Sequence, residues 1–425
     1  MDRHDPRYDA YVAVLSRHLR PAMGCTEPIA IAYAAAVSRE ALGCLPEQAL
    51  VEVSGNIFKN AKAVTVPNTG GHKGIQAACA AGIVAGQARR KLQVIAQVTQ
   101  EQRAQIGAYL SQDRITVALM PEARTFDIRV TLTGGGHSAA TRIADRHTNV
   151  VEVRLDGRVL RSHRCQEEAL QEDPQERLLT IEGIYDFADT CDLEDIAAPL
   201  RRQIDCNMAV AREGLKGCWG AAIGKVLLDS GGERDVRIRA RALAAAGSDA
   251  RMSGCELPVI INSGSGNQGI TVSVPVVVYA QEINAPPEKL LRALALANLT
   301  AIRQKALIGC LSAYCGAVTA GSASGAGIAY LHGGDLHLVN HTIVNCLAIL
   351  SGTICDGAKP SCAAKIACAV DAGLLGWEMA LAGRQFRGGE GIVKKGVENT
   401  IANVGRLGKS GMRETDGVIL EMMRE

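Results

Sequence analysis

Alternation of apolar and polar residues, the signature of a half-buried β-strand, fills the segment from Arg114 to Arg158 and nearly vanishes after Thr180. Ile115 to Leu119, Asp127 to Leu132, Ala139 to Ala144 and Val150 to Leu155 each alternate with period two, and Asp156-Gly157 supplies a hairpin turn. Further upstream the pattern predicts a strand at Ala49 to Ser54, a helix start at Gly55 to Asn60, a second strand at Ala63 to Val66 and a small-residue helix from Gly74 to Arg89. Beyond Thr180, apolar residues recur at helical spacing between Gly/Ser turns such as Gly231-Gly232 and Gly333-Gly334. The expected fold class is therefore α+β. An N-terminal α+β domain (1–175), with a mostly antiparallel sheet polar on one face, precedes a larger helical domain (176–425), and the charged stretch Arg161 to Arg177 reads as a solvated linker.

Two domains also suit the length, since 425 residues exceed a usual single core. A net charge of +2, 3% aromatic residues and no Arg-rich run exclude a chain built for nucleic acid or acidic membranes. Leu336 to Cys355 carries no charge over about 20 residues, the length of a spanning helix. It also holds His337, Asn340, His341 and Asn345 and lacks an aromatic belt, so it reads as a helix at the centre of the helical domain. The N-terminus is polar, without a signal-peptide h-region, which predicts a cytoplasmic location and reduced thiols. Most of the fourteen cysteines then read as core residues, among them Cys44, Cys79, Cys218, Cys346 and Cys368 in apolar helical patterns.

Cys315, Cys355 and Cys362 differ, because they sit in Gly/Ala-rich, nearly charge-free surroundings; Cys25 lies far away in Gly24-Cys25-Thr26-Glu27-Pro28. No closely paired cysteines of the zinc type accompany them. Gly357 and Pro360 let the gap between Cys355 and Cys362 loop around a ligand. Spacing alone leaves two readings open, buried core thiols or three ligands of an iron–sulfur cluster. Three uncharged or weakly charged polar segments add candidates for a small-molecule pocket. The run Asn262 to Gly269 offers Ser263, Ser265 and Asn267 at a helix start, where an anion such as a carboxylate is held well. Lys59 and Asn60, with Thr69 and Gly70, form a second set in which the lysine pairs with a carboxylate, against the plainer reading of a surface lysine and a turn. His147 follows the sheet, and Ser248-Asp249-Ala250-Arg251-Met252 reads as a capped helix end with an ion pair.

In their order along the chain these segments resemble the L-cysteine desulfidase family, also grouped as UPF0597 and related to the iron–sulfur L-serine dehydratase alpha chain. The resemblance rests on Gly24 to Pro28, Lys59-Asn60, Val64 to Pro67 with Thr69-Gly70, and Ser248 to Met252. Asn262 to Ile270, Leu311-Ser312 with Cys315, and Ile354 to Ala358 with Ser361-Cys362 complete it, over essentially the whole chain. Departures fall near the pocket: Asp145-Arg146 stand before His147-Thr148-Asn149 where the family often has glycines, and Ala61 and Asn68 replace common glycines.

The resemblance implies a 4Fe–4S cluster on Cys315, Cys355 and Cys362 with one iron left for substrate, and an essential Cys25. It also implies β-elimination of L-cysteine to sulfide, ammonia and pyruvate. Cys25 is expected either as base, its thiol lowered by a cationic cluster or by Lys59, or as the resting fourth ligand. Asn60, Thr69, Gly70, His147, Ser263, Ser265 and Asn267 are expected around the substrate. A serine dehydratase and a non-catalytic cluster sensor are the competing readings, with a pyridoxal-phosphate lyase weaker because no lysine has a phosphate cradle. The expected partner is a small amino acid, with no nucleic acid or membrane; a homo-oligomer is compatible with the sequence.

Overall fold

The computed structural model describes residues 1–121, 123–163, 173–217, 219–309 and 311–424. Its strands are β1 (Pro21–Ala22), β2 (Gln48–Val53), β3 (Ile115–Leu119), β4 (Asp127–Gly134), β5 (His137–Ala144), β6 (Val150–Leu155), β7 (Arg158–Ser162) and β8 (Val259–Ile260). The first helices are α1 (Tyr8–His18), α2 (Thr26–Leu42), α3 (Gly55–Ala61), α4 (Gly74–Ala85), α5 (Gln100–Leu110) and α6 (Pro174–Arg177). Next come α7 (Ile181–Thr190), α8 (Leu193–Lys216), α9 (Ile223–Gly231), α10 (Val236–Met252), α11 (Gly266–Glu282) and α12 (Pro287–Ile308). The chain ends with α13 (Gly316–Leu331), α14 (Leu336–Leu350), α15 (Cys362–Leu381), α16 (Val397–Arg406) and α17 (Arg413–Arg424).

This is the α+β class that the alternation predicts. Six strands form one sheet in the order β3-β2-β4-β5-β6-β7, antiparallel except for the β2–β3 pair. Helix α2 covers β4, β5 and β6, and Ser38 on α2 donates to the Val130 carbonyl at 2.9 Å. Ala49 and Val51 are buried while Leu50 between them is exposed, which is the period-two rule of a sheet with one covered face.

In the helical part α13 is the most enclosed element, buried from Ala317 to Leu331. Its glycines set how closely α15 approaches. A Cβ on Gly321 would lie 2.3 Å from the Ala369 carbonyl oxygen, and one on Gly325 would lie 2.6 Å from that of Gly373. Backbone-to-backbone contact of this kind is open only to glycine. Because residues 321 and 325 meet 369 and 373 in the same order, α13 and α15 run side by side with both N-termini at one end. One cluster of buried apolar residues extends from Tyr8 in α1 to Val404 in α16.

Several local expectations need correction. Ala63 to Val66 is no strand: a lone bridge joins Thr65 to Lys73, and Pro67 and the left-handed Asn68 turn the chain at once. Helix α14 ends at Leu350 and leaves His337 exposed, so α13 occupies the centre instead. Among the described residues no helix is long and apolar enough to cross a membrane. Cys79 and Cys346 are buried as expected, but Cys44 and Cys368 are exposed. Cys44 lies just past the left-handed Gly43 cap of α2, and Cys368 is on the outward side of α15 between buried Ala367 and Ala369. Cys218, and 164–172 of the expected linker, lie outside the described residues.

Candidate active site

Four helices begin at one place. Cys25 is the N-cap of α2, Ser265 of α11 and Cys315 of α13, and Cys362 is the first residue of α15. Antiparallel pairing of β1 with β8 sets the Cys25 turn beside the loop that enters α11. The partial positive charge of each helix start therefore faces a shared pocket, a setting that favours anions and thiolates. The pocket encloses about 110 Å³.

One wall carries the three cysteines. Tyr314 and Ile354 form an antiparallel bridge, in which the Cys315 N–H donates to the Thr353 carbonyl at 3.1 Å and the Cys355 N–H to Ala313 at 2.6 Å. Two segments far apart in sequence are thus joined side by side by main-chain bonds. The loop onward to Cys362 turns at Gly357, with φ +98°. A Cβ there would lie 2.3 Å from the Lys59 carbonyl oxygen. Lys365 ties the loop from below, donating to the Ile354 carbonyl at 2.9 Å and to Asp356 Oδ1 at 2.5 Å. Burial, and then the neighbouring Cys355, push the Cys315 thiol up; burial does the same to Cys362. Among the described residues no three His, Cys, Asp or Glu side chains gather closely enough to hold a single metal ion. A polynuclear cluster needs no such common point, because each thiolate meets a different iron.

Side chains build the opposite wall. Ser263 and Gly264, with φ +50° and +83°, make a two-residue turn closed by paired main-chain bonds between Asn262 and Ser265. A buried amide network anchors it: Asn262 Nδ2 donates to Asn298 Oδ1 at 2.9 Å, and Asn298 and Gln203 exchange bonds of 2.7 and 3.0 Å. Thr26 Oγ1 at the start of α2 donates to the Gly264 carbonyl at 2.9 Å, joining the two helix starts. Cys25 Sγ donates to Glu27 Oε2 at 3.0 Å, and His147 Nε2 stands 3.7 Å from Glu27 Oε1. Burial and the Glu27 carboxylate push the Cys25 thiol well up. Burial also works against the Glu27 charge, yet His147 and the Cys25 S–H outweigh it and hold that carboxyl at about 2.

Of the residues singled out from sequence, Cys25, Asn60, His147, Ser263, Ser265, Asn267, Cys315, Cys355 and Cys362 all line this pocket. Lys59, Thr69 and Gly70 do not. Lys59 is buried behind the cysteine wall, where Nζ donates to Asp416 Oδ1 at 2.5 Å and to the Cys355 carbonyl at 3.1 Å. Thr69 Oγ1 closes its own turn onto the Val66 carbonyl at 2.7 Å, and Gly70 continues that turn with φ +78°. The expected lowering of the Cys25 thiol by Lys59 is therefore replaced by the opposite shift. Glu27, Arg251, Gln268, Lys305 and Lys365 also line the pocket, though none of them was expected there as a site residue. Glu27 stands two places from Cys25, which was a usable signal. Arg251 was read as half of a local ion pair, but Asp249 instead accepts from the Ala221 and Ile223 N–H groups at the start of α9.

Residues 89–421 match the family model described as serine dehydratase alpha chain. The chain is also 53% identical to a UPF0597 protein of Desulfitobacterium hafniense, across 100% of its own length and 98% of the relative's. A UPF0597 protein of Lachnoclostridium phytofermentans is 46% identical, over 98% of this chain and 99% of the relative. One of Treponema denticola is 45% identical over 98% of both.

Proposed function

The chain belongs to the serine dehydratase alpha chain family, in its UPF0597 branch, and from that premise we propose that it is an iron–sulfur lyase acting on L-cysteine. The reaction is a β-elimination: the Cα–H and Cβ–S bonds break, sulfur leaves with its bonding electrons, and the aminoacrylate hydrolyses to pyruvate and ammonia. One observation carries the reading. Cys315, Cys355 and Cys362, from two loops joined by main-chain bonds, line a single small pocket with Cys25 across it.

The donor set fits a cluster: three soft sulfur ligands stand on one wall, and Glu27, the one carboxylate lining the pocket among the described residues, stands with Cys25 and is engaged by it. When bound, a 4Fe–4S cluster on these cysteines leaves an iron free of the three thiols and supplies a Lewis acid suited to sulfur. The turn at Ser263–Ser265 and the start of α11 receive the substrate carboxylate. As the thiolate, Cys25 takes the Cα proton, its raised pKa making it the stronger base, while Glu27 and His147 beside it hold the side chain in place.

L-serine is the second reading, favoured by the family model's own description. Anaerobically purified protein is to be assayed for iron and acid-labile sulfide, then for sulfide release from L-cysteine against pyruvate formation from L-serine. About four irons with prompt sulfide release supports the proposal. Pyruvate from serine without sulfide from cysteine moves the assignment to a dehydratase, and absence of iron after reconstitution sinks both.

A further inference from the structure

Arg251, at the end of α10, is buried at 3% exposure and lines the pocket. Its Nη1 donates to Asn267 Oδ1 at 3.0 Å, while its Nε is buried without a hydrogen-bond partner among the described residues. No described acid forms an ion pair with it. Glu27, the one carboxylate lining the pocket among the described residues, is engaged by Cys25 and His147. A guanidinium taken out of water with no counter-charge is costly, and the arrangement persists because an anion completes it.

The surroundings say which anion. Arg251 lies directly against the start of α11, where a Cβ on Gly266 would sit 2.3 Å from its Nε. A guanidinium edge beside a helix N-terminus suits a planar carboxylate. Across the same helix start, the amide oxygen of Gln268 is also buried and unpartnered. A vacant donor and a vacant acceptor in one pocket match the two ends of an α-amino acid, carboxylate to Arg251 and ammonium to Gln268. At about 110 Å³ the pocket is small, which favours a short amino acid over one with a long side chain.

We propose that Arg251 and Gln268 form the binding site for the carboxylate and ammonium of a small α-amino acid, with Arg251 as its counter-ion. The assignment rests on this pocket being the substrate site of the lyase proposed above. It replaces Lys59, whose charge is taken by Asp416.

The test uses L-alanine, which has both charged ends and no leaving group, so that binding is read without turnover. Calorimetry on the anaerobically purified protein should register L-alanine and not ethylamine, which lacks the carboxylate. Arg251→Gln should weaken L-alanine roughly 10- to 100-fold, and Arg251→Lys should recover part of the loss. On the unaltered protein, acetate should displace L-alanine and acetamide should not, a comparison that stands even if a variant fails to fold. Affinity for L-alanine within about threefold of the parent in a folded Arg251→Gln protein overturns the proposal. Equal competition by acetamide does so too, and so does a parent protein that ignores L-alanine. Iron lost from Arg251→Gln with L-alanine binding intact would assign the arginine to the metal centre instead. Arg251-dependent alanine binding without sulfide release keeps this site and removes the lyase reading, so the two can fail separately.

Discussion

On one side of the pocket, Cys315 and Cys355 are placed by main-chain bonds between their loops, and Cys362 by the close glycine-lined approach of α15 to α13. On the other side, the turn at Asn262–Ser265, Glu27 and Arg251 are placed by buried side chains: an amide network, a thiol and Asn267. The cysteine wall should therefore tolerate changes to most side chains but not to its cysteines, to Gly357 or to the Asp416–Lys59 pair behind it. The polar wall should respond to single side-chain changes nearly everywhere. A ligand held by sulfur can rely on backbone for position, whereas a charged ligand must be met by charges and dipoles that only side chains and helix ends supply.

The largest expected effect is on the cysteine wall. Cys355→Ala should remove bound iron and sulfide release together while the far-ultraviolet circular dichroism stays unchanged; full activity without iron would break the comparison. Asp416→Ala should come next. It leaves the Lys59 ammonium buried without its partner and frees the Ala313 N–H that Asp416 Oδ2 accepts at 3.0 Å. A stability loss of about 3 kcal/mol by denaturant unfolding is expected, with iron retained less firmly on exposure to air. Gly357→Ala forces a side chain into a left-handed backbone and onto the Lys59 carbonyl, at a cost of about 2 kcal/mol. Its iron content should fall although no ligand is touched.

On the polar wall, Asn298→Ala strands Gln203 and Asn262 and should cost about 1–3 kcal/mol. Here KM for the amino acid should rise while iron stays at the parental level. A drop in iron equal to that of Gly357→Ala would erase the difference between the walls.

The smallest effect is a control away from both. His341 on α14 faces His337, with Nε2 atoms 3.0 Å apart, and burial followed by that neighbour lowers its pKa from 6.5. The unfolded chain then takes up a proton here before the folded chain does. Stability present above pH 6.5 is lost as pH falls below it. His341→Gln should flatten that acid limb in a plot of melting temperature against pH, leaving iron and substrate affinity unmoved.

Much of the cysteine wall was legible in advance, because loop-compatible glycine and proline between Cys355 and Cys362 show in the chain itself. The polar wall was legible only where glycines and hydroxyls cluster, at Ser263 to Asn267. Lys59 and Asn60 illustrate the limit. They are neighbours on α3, but adjacent helical residues point about 100° apart. Asn60 therefore reaches the pocket and Lys59 reaches Asp416, 357 residues onward. Local sequence contains no record of that partner.

Strand alternation, the loss of it after Thr180, and the loop-forming residues around three cysteines are properties of neighbours in the chain, and the sequence alone determines them. Which helix starts share a pocket, which cysteines end at the surface, and which buried cation lacks a counter-charge were decided only by tertiary structure. Burial and charge pairing are set by residues hundreds of positions apart, and a charge such as that of Arg251 is neither paired nor unpaired until the chain has closed around it.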